Sequence, residues 1–225
     1  MQITEGIHVA DGVNGHVYFL KSGKDWAIID TGMPKNAQKI LDYAQKKLGI
    51  KPAQIKTIII THAHIDHVGS AAELKRRTGA KIAIHKADAG FLSGEKKMKM
   101  PAKRMSLRIR LMQFLMPFFK AEPAKADIIL GDKDKIAGLE VIFTPGHTPG
   151  SICLYDRRRK VMFVGDLLRF DKRVVLGPPI IMNEKEVEES TRKVSKIEFD
   201  VMLSGHGQPL MPHASDRIRK YAASL

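Results

Sequence analysis

Three of the nine histidines in this chain fall within six residues. They lie in the stretch Thr61-His62-Ala63-His64-Ile65-Asp66-His67-Val68-Gly69, with an aspartate among them. Imidazole nitrogen and carboxylate oxygen together suit zinc, or a first-row neighbour such as iron or manganese, rather than calcium. A polar turn that happens to be rich in histidine is the alternative, and so tight a grouping argues against it. Three similar residues recur later, each beside glycine: His147 in Thr144-Pro145-Gly146-His147-Thr148-Pro149-Gly150-Ser151, Asp166 in Phe163-Val164-Gly165-Asp166, and His206 in Ser204-Gly205-His206-Gly207. Residues two apart on extended chain point to one face. His62 and His64 with His147 would therefore make a three-histidine site with room for water. Asp66, His67 and His206 would make a second, and Asp166, with two oxygens, could bridge. Two metals about 3.5–4 Å apart can share a hydroxide and stabilise attacking and leaving oxygens, which is hydrolytic equipment. Asp66 is placed to orient that hydroxide and to pass a proton to the leaving group. The sequence has neither a Gly-x-Ser-x-Gly elbow nor a P-loop.

These residues need rigid elements to hold them, and one rule supplies them: an apolar strand, then histidine or aspartate at its end. The run Ile55 to Ile60 is rich in β-branched residues and delivers the first cluster. Trp26 to Asp30 closes on Asp30-Thr31-Gly32, where Asp30 is either a partner that holds a ligating histidine or merely an acid in a turn. Strand ends on one edge of a sheet converge, so separate segments can share one cleft. Residues 2–32 predict three short strands (3–10, 16–21 and 26–30), and 35–49 and 68–78 predict helices stopped by Gly49 and Gly79. Strands are expected at 81–85, 127–130, 139–143, 152–155, 161–164 and 199–203, helices at 184–198 and 216–223, and an irregular loop at 167–182. His85 ends a strand with no ligand neighbour and is expected to be structural. Two βββα-like halves emerge, over 2–49 and 139–198.

The length of 225 residues, with 44% hydrophobic and 28% charged, fits one globular domain with an insertion at about 86–125. No segment reaches the roughly 20 apolar residues of a membrane span. Met1 to Gly6 has no signal-peptide pattern, and a single Cys153 in an apolar strand fits a buried thiol in a reducing cytoplasm. The formal charge of +14 could steer anionic substrates, nucleic acid or acidic lipid, or could be a solvated lysine surface. Between 86 and 125, ten basic and three acidic residues leave 10 − 3 = +7. Here Leu107, Leu111, Phe114, Leu115 and Phe118 recur at helical spacing with Met105, Met112 and Met116, and Pro117 ends or kinks the helix. The segment 103–120 could be a lid over a small-molecule substrate, anionic with an apolar acyl part. It could equally be a dimer contact, a membrane-surface element or an inserted helix packed on the domain.

The joint pattern His62-x-His64-x-Asp66-His67, His147, Asp166 and His206, with the early Asp30-Thr31-Gly32, resembles the metallo-β-lactamase superfamily from about residue 10 to 210. The resemblance implies a four-layer αββα sandwich with a dinuclear site at one edge. By the family's pattern His62, His64 and His147 hold one divalent metal, most often zinc, and Asp66, His67 and His206 the other, with Asp166 bridging. The all-histidine/aspartate set is most similar to the glyoxalase II-like thioesterases and the lactonases. Common β-lactamases place cysteine where this chain has Asp166, and the diiron flavoproteins place glutamate where it has His64. About 18 residues follow Gly207, so the helical domain with which glyoxalase II binds glutathione is not expected, nor are the extra domains of the family's nucleases. The resemblance thus implies a metal-dependent hydrolase of an ester, thioester or lactone. Phosphodiester cleavage of nucleic acid and mononuclear-iron persulfide oxidation are its alternatives, and the basic segment could serve as a docking arm beside any of them.

Overall fold

The computed structural model describes residues 1–97, 120–177 and 181–225. In chain order the first sheet comprises β1 (Gln2–Thr4), β2 (Ile7–Val9), β3 (Tyr18–Ser22), β4 (Asp25–Ile29), β5 (Ile55–Ile60), β6 (Lys81–His85) and β7 (Ile128–Leu130), which are also spatial neighbours in that order. Pairing is antiparallel up to β4 and parallel from β4 to β7. Parallel neighbours need crossovers, and α1 (Ala37–Leu48) and α3 (Ala71–Thr78) lie on two of them, the latter preceded by the single turn α2 (Ile65–Val68). After α4 (Lys86–Leu92) and β7, the second sheet is built from β8 (Lys135–Ile136), β9 (Leu139–Phe143), β10 (Ile152–Asp156), β11 (Val161–Gly165) and β14 (Val201–Ser204), ordered β14-β11-β10-β9-β8. A hairpin, β12 (Leu168–Phe170) with β13 (Val174–Leu176), follows β11, and α5 (Glu184–Val194) and α6 (Ala214–Ala222) complete the described elements.

Three apolar layers make this an αββα sandwich. Ile28, Ile58, Ile60 and Ile82 of the first sheet pack with Ile40 and Leu41 of α1 and Leu74 of α3. Their strand neighbours Ile29, Ile59 and Ala83 point the other way and meet Val141, Leu154, Phe163 and Leu203 of the second sheet. On its far side Cys153, Met162 and Val164 pack against Val187 and Val194 of α5 and Ile218 of α6. The period-two alternation of strand side chains explains why β5 is apolar almost throughout: both its faces are covered. Each such fully buried isoleucine contributes about 1.5–3 kcal/mol, so strand ends anchored in these layers are stiff.

Several local expectations need correction. Residues 3–10 form two strands, not one, because the chain reverses at Glu5-Gly6, where Gly6 has φ 71°. Residues 167–182 include the β12–β13 hairpin. The helix begun at Glu184 stops at Val194, short of 198, and the one expected over 68–78 starts only at Ala71. The two-residue strand β8, and the helix α4 at the start of the 86–125 segment, have no counterpart in the expectations. The expected helix over 105–118 lies outside the described residues. Among the described residues no helix is long and apolar enough to cross a membrane.

Candidate metal centre

The C-terminal ends of β4, β5, β11 and β14 and the turn after β9 meet at one edge of the two sheets. Each carries a side chain singled out from the sequence. Asp30 follows β4, His62 to His67 follow β5, His147 lies between β9 and β10, Asp166 follows β11 and His206 follows β14. The structure brings all seven candidate ligands together. Ligand-type atoms of His62, His64, His147 and Asp166 lie within 4.8 Å of one another, as do those of Asp66, His67 and His206. Asp166 Oδ2 is central, 3.4 Å from His147 Nε2, 3.5 Å from the Nε2 atoms of both His67 and His206, and 3.8 Å from His62 Nε2. His206 Nε2 also lies 3.1 Å from Asp66 Oδ2. His62 and His67 are fully buried, whereas the Asp66 and His206 side chains are 29% and 31% exposed, so the pocket opens on their side.

Hydrogen bonds behind the pocket decide which ring nitrogen faces it. Thr61 Oγ1 donates to Asp30 Oδ2 at 2.7 Å, which uses its one proton. His62 Nδ1, 3.1 Å from the same hydroxyl, must then be its N–H donor, leaving a lone pair on Nε2. His67 Nδ1 donates to Asp30 Oδ2 at 2.8 Å, again directing Nε2 inward. Asp30 is therefore the partner of a site histidine and not a bystander in a turn. Thr61 N–H donates to its other oxygen at 2.8 Å, and its backbone sits at φ 60°, a left-handed conformation that aspartate tolerates better than most residues.

Asp88 went unrecognised in the sequence. It is fully buried; its Oδ2 accepts from Ala63 N–H at 2.8 Å and Thr148 Oγ1 at 2.7 Å, and its Oδ1 from Gly150 N–H at 2.7 Å. One carboxylate thus ties the His62–His64 loop to the His147 turn. The available signal was the strand-end rule itself, since Asp88 follows β6 by three residues. On the opposite side Tyr18 Oη donates to Ser204 O at 2.6 Å and His16 N–H to Gly205 O at 2.9 Å, which fixes the His206 loop. Gly205 is required there, because a Cβ would overlap Asp166 Oδ1 and the His67 ring.

The remaining expectations concern bystanders. His85 caps α4, accepting from Ala87 N–H at 3.3 Å, and stacks on Phe143 with ring centroids 4.3 Å apart. Cys153 is buried, and burial pushes its thiol up to about 12.

The electrostatics are those of a cation site. Burial holds His62 well below its usual range and His64 down to about 3, so both rings are neutral and able to ligate. Burial opposes charge on His67 as well, but the Asp166 and Asp30 carboxylates outweigh it and raise that ring well above its usual range. Burial would protonate Asp166, yet the surrounding histidines, His67 first, hold it well below the usual carboxylate range. His62 Nε2, His64 Nε2, His67 Nε2, both His147 nitrogens and Asp166 Oδ1 are buried with no protein hydrogen-bond partner. Each such orphan costs about 1–3 kcal/mol. A compact set of inward nitrogen and oxygen donors fits divalent cations, which would satisfy them together.

A model of the metallo-beta-lactamase superfamily matches residues 10–206. The chain is 28% identical over 233 aligned residues to the probable metallo-hydrolase YflN of Bacillus subtilis, covering 91% of this chain and 87% of that one. It is 26% identical to the acyl-coenzyme A thioesterase MBLAC2 of Bos taurus, over 70% of this chain and 59% of that protein. A metallo-beta-lactamase with a HARLDQ motif from Cronobacter sakazakii shares the fold, with a TM-score of 0.75 at 21% identity over 100% of this chain and 90% of that one.

Proposed function

The chain belongs to the metallo-beta-lactamase superfamily, and from that premise we propose that it is a metal-dependent hydrolase of acyl thioesters, with esters and lactones as its next candidates. The observation that carries this reading is the ring of partnerless imidazole nitrogens around Asp166 Oδ2. His62, His64 and His147 would hold one divalent ion and Asp66, His67 and His206 a second, with Asp166 between them. The donor set suits zinc first and iron or manganese next. Bound there, such ions supply Lewis acidity and a water acidic enough to attack at neutral pH.

The protein's own groups do the rest. Asp30 keeps the His67 ring in its tautomer, and Asp88 keeps the His62–His64 and His147 loops in register. Burial would raise the Asp66 carboxyl, but His206 and His67 beside it bring it down to about 2, so it is an anion at neutral pH. An ionised Asp66 can accept a hydrogen bond from the attacking water at Oδ2 and orient it. Once it has taken that water's proton it can pass it to the leaving group. Thiolates, with a conjugate pKa near 8.5, are better leaving groups than alkoxides and depend less on that proton. This favours a thioester, the bond that the relative MBLAC2 is named for cleaving.

The deciding experiment is a panel of acyl thioesters, esters, lactones and phosphodiesters offered to metal-loaded protein, with His62→Ala and Asp166→Ala as background. Thioester turnover well above that background is the expected result. Turnover of none of the acyl substrates above it would end this reading.

A further inference from the structure

At the end of the sandwich opposite the histidines a cleft of about 810 Å³ opens among the β1–β2, β3–β4, β8–β9 and β10–β11 turns and the C-terminal end of α1. That volume is typical of small-molecule sites. Trp26 on its wall and Asp30 at the metal pocket sit at opposite ends of β4, four residues or about 13 Å apart, so the two sites are separate. Arg159 makes the wall rigid. Its Nε donates to Glu5 O at 3.0 Å, and its terminal nitrogens to Asp156 Oδ2 at 2.5 Å and to Lys21 O at 3.3 Å. This guanidinium is spent on structure, as is the buried Asp156.

Lys21, Lys47 and Arg158 also line the cleft, are exposed, and have no ionic or hydrogen-bonding side-chain partner among the described residues. The contrast within α1 is informative: Lys46 pairs with Asp42 at 2.9 Å, while the adjacent Lys47 borders the cleft unpaired. Glu5 is the one acid of the lining not engaged by Arg159 through its carboxylate. Beside these cations stand two rings, His8 and Trp26, with centroids 6.0 Å apart and planes at 51°. Burial and the nearby N-terminal ammonium hold His8 below its usual range, so this wall is neutral and aromatic.

An aromatic wall next to three free cations is the pairing that recognises a planar base carrying phosphate. We propose that this cleft binds a phosphorylated nucleoside, its base against Trp26 and its phosphates among Lys21, Lys47 and Arg158. Part of the +14 charge, unused by the metal pocket, is thereby given a ligand.

Trp26 is the chain's one tryptophan, so its emission reports this cleft alone. The metal-loaded 225-residue chain is titrated with ADP, and separately with adenosine and inorganic pyrophosphate, with calorimetry for stoichiometry. The expected result is a saturable change in emission at one ADP per chain, with a dissociation constant below about 1 mM. A double variant, Lys47→Ala with Arg158→Ala, should bind ADP at least about 10-fold more weakly and melt as the parent does, since both side chains are exposed. Adenosine and pyrophosphate should each bind more weakly than ADP. No emission change, or ADP affinity untouched in the double variant, overturns the proposal. Pyrophosphate binding as tightly as ADP reduces the cleft to a plain anion site and overturns the nucleoside assignment. An RNA oligonucleotide bound far more tightly through the same residues replaces it with a nucleic-acid surface.

Discussion

Asp30 Oδ2 accepts a hydrogen bond from His67 Nδ1 at 2.8 Å in a fully enclosed position, so one carboxylate sets the tautomer and orientation of a ring whose Nε2 faces the pocket. Asp30→Asn preserves shape and tolerates the φ of 60°, but removes the charge. We expect metal affinity to fall about 10- to 100-fold while the protein stays folded. Chelator competition against the parent measures the loss; unchanged affinity would show that Asp30 acts on the fold alone.

Asp88 does for two loops what Asp30 does for one ring. Asp88→Ala strands the N–H groups of Ala63 and Gly150 and leaves the Thr148 hydroxyl with Ser151 Oγ as its remaining partner. An orphaned buried group costs about 1–3 kcal/mol, so denaturant unfolding should show a loss of several kcal/mol. In Asp88→Asn, where part of the bonding survives, the stability loss should shrink while metal affinity still drops. Wild-type affinity in that variant would disprove the coupling of the two loops.

Metal-free protein should lose stability on acidification because of His64. Its ring is held at about 3 in the fold, against about 6.5 in an unfolded chain. The unfolded state therefore binds the proton first, and the folded state weakens as pH falls from 6.5 towards 3, by up to about 1.4 kcal/mol per pH unit. His64→Asn removes this contribution. The difference in unfolding free energy between metal-free parent and variant should drift in the variant's favour as pH falls, and a flat difference would contradict the assignment.

Cys153 provides a chemical check on the second sheet. Its thiol is buried, and burial raises it to about 12. A thiol reagent at pH 8 should find no reactive group in the native protein and one after denaturation. Rapid native labelling would mean that the layer between the second sheet and α5 opens freely.

The pocket was legible because its chemistry repeats a simple grammar, strand then ligand, five times, and strand ends on one sheet edge have nowhere to go but together. Asp30 was visible for the same reason, although only the fold shows that His67 is its partner. Asp88 obeys the same grammar, but its role is not legible in the sequence: its three partners lie 25, 60 and 62 residues away, and it sits at the start of a stretch dominated by basic residues. The β12–β13 hairpin was missed because Arg169, Asp171, Lys172 and Arg173 mask the apolar alternation of Leu168, Phe170, Val174 and Leu176. The cleft around Trp26 is not legible in the sequence, since its lining comes from four turns and the end of α1, which only the packing of the two sheets brings side by side.

His62, His64, Asp66 and His67 hang from the first sheet, and His147, Asp166 and His206 from the second. Each of the two proposed ions would draw ligands from both sheets and so act as a rivet across the seam. The grip stays incomplete until Val201–Ser204 slots in beside Val161–Gly165 and delivers His206, so a pairing between strands far apart along the chain closes the vice.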